Sequence, residues 1–350
     1  MYRPGSALAA VAALLLLVGG CDVASGDTAE SPSPRAPVAE PVISAIPVIE
    51  STAAIRLPLD AYELTYDERA AVALTEARLV RACAARFGVN FDIPADQVLA
   101  NAIGAGTYDT NKSRHAHRYG HNDIAVVREH GYLVPPGLPG QPSGEWIDPI
   151  TNDPYIWVVM NGLEPGPQPP ELGGASGRLE GSYPTGLERP SDIDGDPLPQ
   201  GGCAGEAASV LSGDGEVYDD IYVENLNDEP YFLALEDSRV AAVTEAWSAC
   251  MAEKGYDYDA PEDASIDPAW FAVGPDGTID ESQRPKPEEI VTAVADVECQ
   301  QSVNYLGVHV TVESAYQEQL IEEHFQDLEL NYRNAQAMLQ RANAVSGGTS

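Results

Sequence analysis

Apolar positions recur at helical spacing in four stretches of this chain, separated by segments without that period. In the first, Thr65-Tyr66-Asp67-Glu68 fits a capping box, in which threonine and glutamate each satisfy an orphan amide. Val72, Leu79, Val80, Cys83 and Phe87 follow on one face, and Gly88 ends the run. In the second, Asp237 caps, Val240, Val243, Trp247, Cys250 and Met251 form a stripe, and Gly255 closes it. The third opens at Pro287 with Glu288 and Glu289, residues suited to a first helical turn, and passes Val294 and Cys299 to about Leu306. The fourth, from about Val312 to Ala342, places Ile321, Phe325, Leu328, Tyr332, Ala335, Leu339 and Ala342 in alternating steps of four and three, a narrow seam for another helix. Three heptads are few, so the seam is expected to pack within a monomer. The expected fold is mainly α.

Between residues 135 and 202 the period disappears. Val134-Pro135-Pro136-Gly137 and Pro165-Gly166-Pro167-Gln168-Pro169-Pro170 mark a long Pro/Gly-rich irregular insertion, with Tyr155 to Met160 as its one short strand. Residues 22–57 carry Pro32, Pro34, Pro37, Pro41 and Pro47 and no aromatic residue. So little apolar surface cannot offset ordering entropy, and a disordered stalk over 21–57 is expected, followed by a helical domain over 58–345.

Ahead of the stalk stands an export signal. Arg3 makes the amino end positive, Ala7 to Val18 is apolar throughout, and Val18-Gly19-Gly20-Cys21 supplies small residues before a cysteine. A membrane span needs roughly 20 apolar residues, so residues 1–20 read as a cleaved signal. Val18-Gly19-Gly20-Cys21 resembles a bacterial lipobox, which implies acylation of Cys21 and a lipid anchor on the extracytoplasmic face of the cell membrane. Charge agrees with that placement. The whole chain carries 19 Lys plus Arg against 55 Asp plus Glu, a net of −36. Such a surface repels phosphate backbones and anionic headgroups, which argues against nucleic-acid binding and leaves the lipid as the membrane attachment.

A duplication is the most informative feature beyond the signal. Cys83-x4-Gly88-x2-Phe91-Asp92-x-Pro94 matches Cys250-x4-Gly255-x2-Tyr258-Asp259-x-Pro261 residue for residue in spacing. Two related helical units are expected, each with a later cysteine, Cys203 and Cys299. Four thiols in an oxidising compartment allow three connectivities, and the repeat favours Cys83–Cys203 and Cys250–Cys299. Zinc is the competing use, but no C-x2-C knuckle is present. Trp247-x2-Cys250-Met251-x3-Gly255-Tyr256 and Ala293-x-Ala295-Asp296-x2-Cys299 resemble uncharacterised actinobacterial surface lipoproteins, as do Gly202-Cys203-Ala204-Gly205-Glu206-Ala207 and Arg118-Tyr119-Gly120 with Gly131-Tyr132. The resemblance implies the same fold and cross-links and carries no activity.

Candidate chemistry is sparse. His115, His117 and His121 lie within seven residues, with Asp123 and His130 behind them, and neutral imidazoles bind zinc or copper. Gly120 is expected to end a helix among them, which turns the cluster into a solvated helix end. Asp192-Ile193-Asp194-Gly195-Asp196 echoes a calcium loop, but its glycine comes early and Cys203 stands where a glutamate is needed. Trp146, Tyr155, Trp157 and Tyr183 would line a carbohydrate or peptide groove, or pack onto helices beneath. No G-x-S-x-G, H-E-x-x-H or phosphate-cradling glycine loop occurs. No cofactor is implied. The expected function is a non-enzymatic binding or accessory module of the envelope, its partner an envelope protein, peptide or wall glycan. A wall-acting hydrolase and an accessory lipoprotein of a transporter or sensor are the alternatives.

Overall fold

A computed structural model of the chain describes residues 39–104, 107–108, 112, 114–115, 118–120, 122–143, 154–162, 192–193, 195–213, 218–273, 279–280 and 284–347. Residues from Glu40 onward form one unit, and the expected signal and Cys21 lie outside the described residues. The unit is mainly helical: α1 Tyr66–Arg86, α2 Ala95–Ile103, α3 Ile124–His130, α4 Pro154–Asn161, α5 Gly202–Ser212, α6 Tyr222–Glu236, α7 Ser238–Glu253, α8 Pro261–Ser265, α9 Pro287–Val303 and α10 Tyr305–Gly347. Two antiparallel pairs of two-residue strands complete it among the described residues, β1 Asp192–Ile193 with β2 Asp196–Pro197 and β3 Ala272–Val273 with β4 Ile279–Asp280.

The spine is α10, whose 43 residues run about 65 Å at 1.5 Å per residue. Its first half packs against α6 and α7, and its second half against α1 and α5. At the second end, Cys83, Phe87, Val159, Met160 and Cys203 join α1, α4 and α5 in one cluster. At the first, Trp247, Met251, Ala293, Val297 and Cys299 join α7 and α9, with Val127 of α3 and Trp270 around them. A disulfide closes each cluster: Cys83 to Cys203 across 120 residues and Cys250 to Cys299 across 49, with Cα atoms 5.5 and 5.7 Å apart.

The two copies of the repeat end their helices with the same bonds. Below α1, the Val89 amide donates to Ala84 O and the Gly88 amide to Ala85 O, each at 3.1 Å. Below α7, Tyr256 donates to Met251 O and Gly255 to Ala252 O, each at 3.0 Å. This is the Schellman closure, which needs a left-handed residue, and Gly88 and Gly255 supply φ of +74° and +92°. Beyond the closure the copies diverge. Pro94 precedes a nine-residue α2, whereas Pro261 opens a five-residue α8, and Cys203 starts its helix where Cys299 lies near the end of its own.

Four expectations change. Residues 154–161 form a helix, not a strand, because three successive apolar side chains, Val158, Val159 and Met160, are all buried under α5. A run without polar interruption does not distinguish the two periods. Residues 40–57, assigned to the stalk, lie against the domain. Glu40 accepts from Ser238 N and Oγ at 2.8 and 2.9 Å, Arg239 donates to Pro41 O at 2.8 Å, and Asn304 Nδ2 donates to Pro47 O at 3.0 Å. Ile43 packs near Val240, Val312 and Tyr316, so prolines here keep a strap extended on a folded surface. The last helix begins at Tyr305, not Val312, because Asn304 alone, at φ +57°, makes the turn from α9. Finally, Phe325 leaves the expected seam and is 52% exposed, while Leu328, Ala335, Leu339 and Ala342 stay buried.

Candidate functional site

Of the three clustered histidines, His115 lies among the described residues, and it does not take the solvated position expected of it. His115 is buried, and its Nε2 lies 2.8 and 2.9 Å from the two carboxylate oxygens of Asp60, in the 3-10 turn Pro58–Tyr62. Burial raises the Asp60 pKa, but the His115 hydrogen bond and charge, the Leu57 amide and Arg114 outweigh it and hold the carboxyl below its ordinary value. Next to it, Glu63 pairs with Arg114 and Arg69. His117 and His121 lie outside the described residues. Among the described residues no three His, Cys, Asp or Glu side chains converge on a metal position.

Those of the other sequence candidates that lie among the described residues behave as local structure. Gly195 N donates to Asp192 Oδ1 at 3.3 Å, a turn closed on itself, and Asp194 lies outside the described residues. Tyr155 donates its hydroxyl to Phe87 O at 2.7 Å, at the end of α1. Trp157 is half-buried, and Trp146 and Tyr183 lie outside the described residues.

Two polar networks instead occupy the interior. The first runs along α10, where Tyr305, His309, Glu313 and Gln317 follow at four-residue steps and are all buried. Glu313 accepts from Tyr119 Oη at 2.7 Å and pairs with Arg118 at 2.7 Å. Gln317 donates to Glu313 Oε1 at 3.2 Å and to Asn227 Oδ1 at 2.9 Å, and accepts from Leu59 N at 3.0 Å. His309 differs: neither ring nitrogen has a hydrogen-bond partner among the described residues. It sits between Tyr119 at 5.0 Å, Tyr231 at 5.5 Å and Tyr305 at 5.9 Å. Burial, and then the Arg118 charge, push its imidazole down to about 4, so it stays neutral.

The second network centres on Asp296 of α9. Its Oδ1 accepts from Trp247 Nε1 at 2.9 Å and Gln300 Nε2 at 2.8 Å, and its Oδ2 from the Tyr132 hydroxyl at 3.2 Å. Burial pushes the carboxyl up to about 7, even though the three donors favour its charge. Beside it, Glu289 accepts from Tyr132 N at 3.1 Å and pairs with Arg284 at 2.8 Å. These side chains tie α3, α7 and α9 together, and they are sealed from solvent.

A cleft of about 450 Å³ runs along α7, within the range of ligand pockets, roughly 300–1,000 Å³. Val240, Ala241, Thr244, Glu245 and Ser248 of α7 form one wall, Asp259, Ala260 and Glu262 at the start of α8 the other, with Leu235 at one end and Tyr305 behind. Both α7 hydroxyls that line the cleft are committed: Thr244 Oγ1 donates to Val240 O at 2.9 Å, and Ser248 Oγ to Tyr258 O at 2.7 Å. No histidine or cysteine lines the cleft. Glu245, Asp259 and Glu262 are exposed, and none is ion-paired among the described residues. After burial, the Glu262 charge is the largest influence holding the Tyr305 hydroxyl above its ordinary value.

The cleft escaped the sequence reading. Its α7 wall is the polar side of a helix read only for its apolar stripe, and its far wall is the second copy of the repeat, read only as a chain exit. The signal available was Ala241, Thr244, Glu245 and Ser248 at three- and four-residue steps, which is how any solvated helix face reads. Set against known proteins, the chain matches no family model, no curated protein and no solved structure.

Proposed function

We propose that the chain is a lipoprotein held by Cys21 on the extracytoplasmic face of the cell membrane, its helical domain a non-enzymatic binding or accessory module of the envelope. The observation that carries this reading is the pairing of all four remaining cysteines in two disulfides, behind a sequence with the order of an export signal. Paired cysteines belong to an oxidising compartment, and the lipobox-like residues supply an anchor. The matching ends of α1 and α7 support two related helical units. Binding is favoured over hydrolysis by a serine or threonine nucleophile: the Thr244 and Ser248 hydroxyls are tied to backbone carbonyls, and the cleft holds no histidine to activate them.

The test is fractionation of cells carrying wild type and Cys21→Ser. Wild type is expected in the membrane fraction, accessible to protease added outside and labelled by palmitate. The serine variant is expected unlabelled and shed. A variant that stays membrane-bound, or a wild type confined to the cell interior, refutes the reading.

A further inference from the structure

Resting on the proposal that this domain is a binding module, we infer that the cleft between α7 and α8 takes a lysine or arginine side chain from a basic, partly apolar peptide segment. The lining has the two parts such a side chain requires. Leu235, Val240, Ala241 and Ala260 with the Tyr305 ring give the lining an apolar part for a methylene stem. Glu245, Asp259 and Glu262 stand around it as acceptors for a cationic head. These carboxylates are borne on two separate walls, and no three of them converge as metal ligands among the described residues. A charge carried on a long stem therefore fits where a bare divalent ion does not.

The surface beside the cleft extends the match from one side chain to a segment. Phe232 is one turn before Leu235 on α6, so the two share a face. Phe232 is 59% and Leu235 37% exposed, which leaves an aromatic and an aliphatic group in water at the cleft's end. They suit an apolar neighbour of the basic residue. The net charge of −36 draws cationic segments from a distance, but at 0.15 M salt that field fades beyond about 8 Å. Selectivity at working salt then comes from the cleft.

The test uses the full chain in detergent and a synthetic octapeptide holding two lysines among leucine and alanine, with a counterpart acetylated on both lysines, titrated by calorimetry at 0.15 M salt. Binding of the free-lysine peptide is expected, weakened at least tenfold by acetylation and by Glu245→Gln with Glu262→Gln. A matched change on α10, Glu322→Gln with Glu323→Gln, removes the same charge elsewhere and is expected to alter affinity less than twofold. Ala241→Trp fills the cleft from an exposed wall position without changing charge, and is expected to abolish binding. Equal loss from the two glutamate pairs, equal affinity for the acetylated peptide, or no binding at all overturns the inference. None of these outcomes touches membrane attachment, which the Cys21→Ser fractionation decides separately.

Discussion

Asp296→Asn isolates an electrostatic cost in the interior. The carboxyl is 2% exposed and titrates at about 7 in the fold, against 3.8 for the ordinary group. A group whose folded pKa is raised contributes stability that is complete below the unfolded value and is lost as pH rises through the folded one. The window is therefore pH 3.8 to about 7, and about three units at 1.36 kcal/mol each total roughly 4 kcal/mol. Between pH 4.5 and 8 about 3 kcal/mol of this is traversed. Asparagine keeps the geometry: its oxygen accepts from Trp247 and Gln300, and its amide donates to the Tyr132 hydroxyl oxygen. Urea unfolding followed by tryptophan fluorescence, with disulfides intact, measures both proteins at pH 4.5, 6 and 8. The wild type is expected to lose about 3 kcal/mol relative to the variant from pH 4.5 to 8, and the variant to be the more stable at pH 8. Asp296→Ala, which strands two buried N–H donors, is expected to be less stable than Asp296→Asn by about 2–5 kcal/mol at every pH. A stability difference between wild type and Asp296→Asn that stays level within 1 kcal/mol across that range would refute the reasoning.

Other perturbations test separate parts of the fold. His309 has the opposite sign, because its pKa falls from 6.5 to about 4: its contribution is present above 6.5 and lost as pH drops towards 4, up to about 3 kcal/mol, and His309→Phe is expected to remove that acid-side loss in the same urea assay. Replacing both cysteines of a pair by alanine is expected to cost about 5 kcal/mol for Cys83–Cys203 and about 4 kcal/mol for Cys250–Cys299, following their loops of 120 and 49 residues; a larger loss at the shorter loop would contradict the chain-entropy account. Gly307→Ala would set a methyl 2.2 Å from Pro47 O and 2.4 Å from Asn304 Oδ1, so the strap is expected to lift at a cost of about 1–3 kcal/mol, read as faster protease cleavage between residues 40 and 50.

Much of the helical framework can be read along the chain because it is written in local patterns. The capping box at Thr65, the stripe from Val240 to Met251, the proline at 287 and the glycines at 88 and 255 act over one or two turns, and each lies where the structure uses it. Trp247 and Asp296 both stood out within quoted motifs, yet their meaning is their 2.9 Å hydrogen bond across 49 residues, which no local pattern contains. The same holds for His115, whose Asp60 partner comes from a turn 55 residues earlier and draws it inside. Buried polar residues on α10 are the clearest case: Tyr305, His309, Glu313 and Gln317 look like a solvated face, and only packing against α6 and the 118–119 segment reverses that. Residues 40–57 look equally like free chain until Ser238, Arg239 and Asn304 are brought beneath them. Periodicity tells which faces differ, and it is strong enough to place α1, α7, α9 and α10. Which face turns inward, what a buried charge meets there and where a cleft is left open depend on contacts between distant segments, and those exist only once the chain has folded.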